Sequence, residues 1–241
     1  MERLIPEERK AQIIQTALEL FAQRGYEKTT VNDIIKAAGI SKGGFYHHYK
    51  SKEELLEDVA GAFVAEVLAI IEQVADRDDL TALEKTNEYM RQVQTLKKDR
   101  VVEVSAFLSE LYAGGKNVQL ENKIFGHGQK MIAPLMKSII LQGIEEGDIK
   151  TDYPEEAAEM FVRLFIIHQR EMAEAFTEAW NEGTGEAMEA IMRKYAFLQE
   201  MLENLLGLER GSLVIEEMAR DARDSIGTLL LQKRRSGRRD S

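Results

Sequence analysis

TTVNDIIKAAGISKGGFYHHYKSKEE, residues 29–54, decides the fold. It reads as two short helices joined by a tight turn, with a third helix starting at once. Thr30 suits an N-cap, and Asp33, three residues on, suits the return half of a capping box. Val31, Ile34, Ile35 and Ala38 recur at i, i+3, i+4 and i+7, which is one face of a helix. Gly39 then stands where a helix ends in a left-handed residue that only glycine adopts without strain. Ile40 plugs the turn, and Ser41 is placed to cap the second helix.

The second helix, 42–49, has two sides. Phe45 and Tyr49, four apart, pack inward, whereas Lys42, Gly43, Tyr46 and His47 form a poor core and a good surface for a polyanion. Each of the adjacent glycines, Gly43 and Gly44, costs a helix interior about 1 kcal/mol relative to alanine. Two together imply that something outside approaches the backbone closely. Ser41, Lys42, Tyr46, His48, Lys50 and Lys52 carry the donors that reach phosphate oxygens. The plainer alternative, a helical corner with a solvated basic face, leaves the glycine pair unexplained.

IIKAAGISKGGFYHHYKSKEELL resembles the helix-turn-helix and fourth-helix start of TetR-type (tetracycline-repressor-like) transcriptional regulators, and ALELFAQRGYEKTTVNDI resembles their first helix and its glycine-aromatic turn. The resemblance covers roughly the first quarter of the chain. It implies an all-α protein: an N-terminal helix-turn-helix three-helix head, joined by a helix to a larger C-terminal helical ligand-binding and dimerisation domain. It implies double-stranded operator DNA, a small-molecule effector and a second copy of the chain as partners, and no cofactor. By matched position, Lys42, the Gly43–Gly44 backbone, Tyr46 and His47 would lie nearest the bases. Thr30, Ser41, Tyr46, His48 and Lys52 would hold phosphates. His47 departs from the aromatic residue often found there, which leaves base preference open.

Charge division agrees with a head that docks on DNA. The 241 residues carry a net −10, yet residues 1–52 hold nine Lys or Arg against six Asp or Glu, and 233–241 hold five against one. The stretch between is therefore strongly acidic, and the polyanion-binding charge sits at one end. Three prolines and abundant Ala, Leu, Glu, Met and Gln favour helices throughout. No apolar run approaches the ~20 residues that span a bilayer, and the start lacks an export pattern, so the expected location is the cytoplasm and no membrane partner is expected. Without cysteine there are no disulfides and no thiolate metal sites.

Outside the head, the first helix is expected after Pro6, with Ile13, Ile14, Ala17, Leu18 and Phe21 as its buried stripe and Gly25 as its end. Ser51 and Glu54 form a capping-box pattern for the fourth helix, which runs to about residue 75 without a flexible linker. The domains expected are 1–52, DNA-binding; 53–232, ligand-binding and dimerisation; and 233–241, a disordered basic tail. Further helices are expected at about 80–98, 100–113, 118–146, 154–181, 186–206 and 212–232, with Gly126, Gly128 and Pro134 as places where the third of these breaks or bends.

Catalysis finds little support. No Walker loop, dinucleotide fingerprint, GxSxG or carboxylate motif is present, so no catalytic residue, metal or enzyme activity is expected. His168 and Glu171, at i and i+3, lack the second histidine of a zinc motif. Surplus Phe and Met along the body helices suit an adaptable apolar pocket. The expected ligand-contacting residues are Phe107, Leu111, Phe125, Phe161, Phe165 and His168. Apolar faces on the last two helices, including Leu198, Leu202, Ile226 and Leu229, are expected to form the dimer interface. The competing expectation, from another class, is a small-molecule-binding protein or enzyme that contains an incidental helix-turn-helix corner.

Overall fold

A computed structural model describes residues 5–98, 118–182 and 185–236. Among them the regular structure is helical: α1 (Pro6–Arg24), α2 (Val31–Ala37), α3 (Lys42–His48), α4 (Lys52–Ala75), α5 (Ala82–Lys98), α6 (Val118–Glu146), α7 (Pro154–Glu182), α8 (Gly185–Leu206) and α9 (Ile215–Ser236). The chain divides into two compact units, Met1–Glu66 with Arg100–Ile124, and Val67–Asp99 with Phe125–Ser241. The first division falls within the span of α4. The helix expected at 100–113, with Phe107 and Leu111, lies outside the described residues.

In the N-terminal unit, α1 packs on α2 and α2 on α3. Ile13, Ala17, Leu20, Phe21, Ile34, Phe45, Tyr49, Leu55, Leu56 and Val59 are among its buried apolar residues. Ile14 and Leu18, expected in the stripe, are only half-buried, and Leu20 takes a core place instead. Gly25 (φ 81°) ends α1, and Tyr26 folds back to meet the Phe21 ring edge-on at 5.2 Å. Gly39 (φ 63°) makes the turn, where the Ile40 amide donates to the Ile35 carbonyl across 3.1 Å.

In the C-terminal unit, α8 packs on α7 and α9, and α5 on α9. Its core includes Ile71, Tyr89, Met90, Met136, Ile139, Phe161, Phe165, Ile191, Tyr195, Leu198, Leu202, Met218 and Ile226. Two buried charges are used as backbone caps. The Lys85 ammonium donates to the Ala75 carbonyl that ends α4 (2.9 Å), and Glu203 Oε1 accepts from Gln199 and from the Gly211 and Leu213 amides of the α8–α9 loop.

Three expectations need correction. α6 runs unbroken through Gly126, Gly128 and Pro134. The proline costs a helix about 3 kcal/mol, but Ile132, Ala133, Met136, Ile139 and Ile140 around it are all buried and offset that loss. α9 continues to Ser236, so residues 233–236 are helical and not part of a disordered tail. The apolar faces assigned to a dimer interface are occupied within the chain: Leu198, Leu202 and Ile226 are core, while Leu229's side chain lies outside the description. A helical stripe reveals that a face is buried, not whether its partner belongs to the same chain.

Candidate nucleic-acid interface

Ser41 sets up α3. Its Oγ accepts from the Gly44 amide at 3.0 Å and satisfies one of the free donors at the helix start. Phe45 and Tyr49 are buried, their rings 5.9 Å apart, which turns the opposite face outward. On that face Lys42, Gly43, Tyr46 and His47 are exposed, Tyr46 by 49%. Gly44 and His48 flank it, half-buried, with the His48 ring 5.2 Å from His47 and 6.5 Å from Tyr49. Four of the residues expected to meet DNA thus share one surface.

The two glycines differ. A Cβ on Gly44 would press within 3.3 Å of Ser41 Oγ, so Gly44 protects its own cap. A Cβ on Gly43 would meet only Ser41 Oγ, at 4.0 Å, and Gly43 has no positive φ. Nothing within the described residues requires glycine at 43.

Thr30 caps α2 reciprocally. Its Oγ accepts from the Asp33 amide (3.1 Å), while its hydroxyl and amide donate to Asp33 Oδ2 at 2.6 and 2.9 Å. Those bonds hold the Asp33 carboxyl below the usual carboxylate range. The Thr30 proton is thereby committed to Asp33, so its hydroxyl meets a phosphate only by breaking that bond.

Lys52 is placed differently from a lysine that serves phosphate alone. Its ammonium donates to the Tyr26 carbonyl (2.8 Å) and the Thr29 carbonyl (3.1 Å) and sits 3.9 Å from the Tyr26 ring centroid. It fastens the α1–α2 turn to α4 with two of its three protons. The contact with Tyr26 spans 26 residues of chain, and no local pattern in the sequence points to it. Buried Thr29, whose hydroxyl lies 2.8 Å from the Gly25 carbonyl and 3.3 Å from the Leu20 carbonyl, was not singled out from the sequence either. Ser51 accepts from the Glu54 amide as expected, but Glu54 returns to the Lys50 amide (2.6 Å), one residue before the expected partner.

In the C-terminal unit Phe161, Phe165 and His168 lie along α7 at i, i+4 and i+7. Phe161 and Phe165 stack at 6.5 Å, Tyr89 lies 6.1 Å from Phe165, and His168 meets the Tyr195 ring edge-on at 4.5 Å. All are buried, and burial pushes the Tyr195 phenol up to about 12. Tyr89 and Tyr195 were missed by sequence reasoning, since aromatic positions on separate helices carry no pairing signal. Phe125 is on α6, with its side chain outside the description. Glu171 pairs with Lys194 at 2.7 Å. Among the described residues no group of three or more His, Cys, Asp or Glu could hold a metal, and no helix is long and apolar enough to cross a membrane.

A capped two-helix corner, a glycine turn and an outward lysine-aromatic-histidine face make up a helix-turn-helix head. Residues 13–59 match the family described as bacterial regulatory proteins, tetR family. The chain is 41% identical over 71 residues to the HTH-type transcriptional repressor KstR2 of Mycolicibacterium smegmatis, covering 30% of this chain and 35% of that one. It is 36% identical over 115 residues to the uncharacterised HTH-type transcriptional regulator YerO of Bacillus subtilis, covering 38% and 40%. The chain therefore spans less than half the length of either relative. The fold is similar to that of Salmonella enterica GusR over 85% of this chain and 98% of that one, with TM-score 0.61 and 20% identity. Both sequence relatives are named as transcriptional regulators.

Proposed function

We propose that the protein is a homodimeric, ligand-responsive transcriptional regulator of the cytoplasm, a repressor that leaves a palindromic operator when an apolar or amphipathic small molecule binds its body. One observation carries the DNA reading: Gly43 is exposed, with room for a side chain and no conformational need for glycine. A helix keeps that vacancy when an outside body must approach its backbone, and the neighbouring Lys42, Tyr46 and His47 suit the edges and phosphates of a duplex. Lys42, Gly43–Gly44, Tyr46 and His47 face the bases. Ser41, His48 and the remaining proton of Lys52 serve phosphates, with Thr30 at the α2 cap.

One seven-residue helix makes few base contacts, and a second copy on a palindrome doubles them. The surface that supports a two-fold is the outer side of α7 and α8, where Met160 (41%), Ile167 (51%), Phe197 (64%) and Met201 (36%) stand exposed. The effector would lodge beside Phe161, Phe165, His168 and Tyr195, and its binding would turn α4. The proposed domain limits are a head of 1–52, on which the start of α4 packs, a body of 53–232 and a basic end of 233–241.

Selection of genomic fragments by the purified protein tests this reading. Enrichment of fragments with one shared two-fold motif supports it. Retention without sequence preference would favour a small-molecule-binding protein or enzyme with an incidental helix-turn-helix.

A further inference from the structure

Three elements of the head converge on one carboxylate oxygen. Tyr49 follows α3 directly; its amide donates to the Phe45 carbonyl (2.9 Å), which ends that helix, and the residue is 1% exposed. From inside the head its hydroxyl donates to Asp58 Oδ2 on α4 at 3.1 Å. The Lys10 ammonium of α1 lies 2.7 Å from the same oxygen and 5.9 Å from the centre of the Tyr49 ring. The other inward residue of α3, Phe45, makes apolar contacts, which tolerate rotation because burial is non-directional. The bond from Tyr49 is directional and fixes a rotation.

We propose that Asp58 is a positioning residue for DNA recognition: by holding the Tyr49 hydroxyl it sets the seat of α3 between α1 and α4, and with it the aim of Lys42, Tyr46 and His47. The inference rests on the DNA-binding reading above. Lys10 keeps the carboxylate turned toward Tyr49. Burial first, and then the charge of Asp58, raise the Tyr49 phenol well above its ordinary value, so it stays a donor at any physiological pH. Asp58 touches no DNA, and its charge opposes a polyanion.

That opposition gives the test its direction. Asp58→Ala removes a negative charge from the head, so charge alone predicts tighter binding to any duplex. Positioning predicts the reverse for the selected duplex. The full chain, Asp58→Ala, Asp58→Asn, Tyr49→Phe and the Asp58→Ala/Tyr49→Phe double variant are titrated by anisotropy against a selected and a scrambled duplex. Amide exchange of residues 45–49 is followed without DNA.

Asp58→Ala and Tyr49→Phe should each weaken the selected duplex about tenfold, since ~1.4 kcal/mol, near the size of a hydrogen bond to a charged group, is a factor of ten. The double variant should lose no more than the worse single one. Asp58→Asn, whose amide oxygen still accepts, should stay near the parent, and the scrambled duplex should bind as well or better. Exchange at 45–49 should quicken in both single variants and not at 13–21. Unchanged or tighter specific binding by Asp58→Ala, additive losses, or unchanged exchange would overturn the proposal. Should Asp58→Ala not fold, Tyr49→Phe, which removes one oxygen and leaves the Lys10 pair, decides the matter by the same two readouts. Should the parent prefer no duplex, the DNA reading fails by itself and the exchange data alone decide whether Asp58 seats α3.

Discussion

Gly43 and Lys52 separate what a residue does for the fold from what it does for DNA. Gly43→Ala fills open space in a helix, so the head should gain up to about 1 kcal/mol while operator affinity falls. Thermal denaturation and anisotropy on the same preparation read the two effects, and parallel changes would remove the case for close approach at 43. Lys52→Ala should weaken all duplexes alike and lower the salt slope. It should also lower the melting temperature, because the Tyr26 and Thr29 carbonyls lose their donor. The phosphate role proposed for Lys52 rests on the lysine's position beside the motif. The turn-clamping role was not legible, because it depends on which distant carbonyls the fold brings within hydrogen-bond reach. Thr30 and Asp33 were legible to the individual bond, since a capping box is local.

Helix bounds were read closely in both units, whereas features that depend on neighbouring helices, such as the break expected inside α6, were not. The head followed from the spacing of Ile34, Phe45 and Tyr49, and Pro134 misled because the burial around it is invisible locally. The two-fold face misled for a related reason. Leu202→Ala should therefore cost the body about 2–5 kcal/mol, as a buried leucine does, in chemical denaturation. Phe197→Glu with Met201→Glu should leave stability near the parent and yield monomers in sedimentation; a persistent dimer would locate the interface elsewhere. α2 also carries a pH signature. The Asp33 carboxyl is held below its usual value by Thr30, so its stabilisation is present above the ordinary carboxylate range and is lost as pH falls below that range. Asp33→Asn should flatten that acid limb of the melting curve.

At the scale of the molecule, an acidic chain carries its net positive charge in 1–52 and 233–241, and the body holds its aromatic cluster among buried helices. Coupling between the two is reciprocal: an effector that lowers DNA affinity 100-fold requires about 2.7 kcal/mol, and the operator must weaken effector binding equally. Calorimetry of a confirmed effector, with and without saturating operator, reads this, and equal affinities would remove the switch. The proposed ligand site is the least legible part of the sequence, because a pocket is made from side chains of several helices that no single period relates. The central claim, that the outward face of α3 reads DNA, is tested most directly by titrating the parent and Lys42→Ala against the selected duplex and a scrambled one over a range of salt. The account predicts that the parent prefers the selected duplex and that Lys42→Ala changes which sequence is preferred. It is contradicted if Lys42→Ala binds every duplex as the parent does.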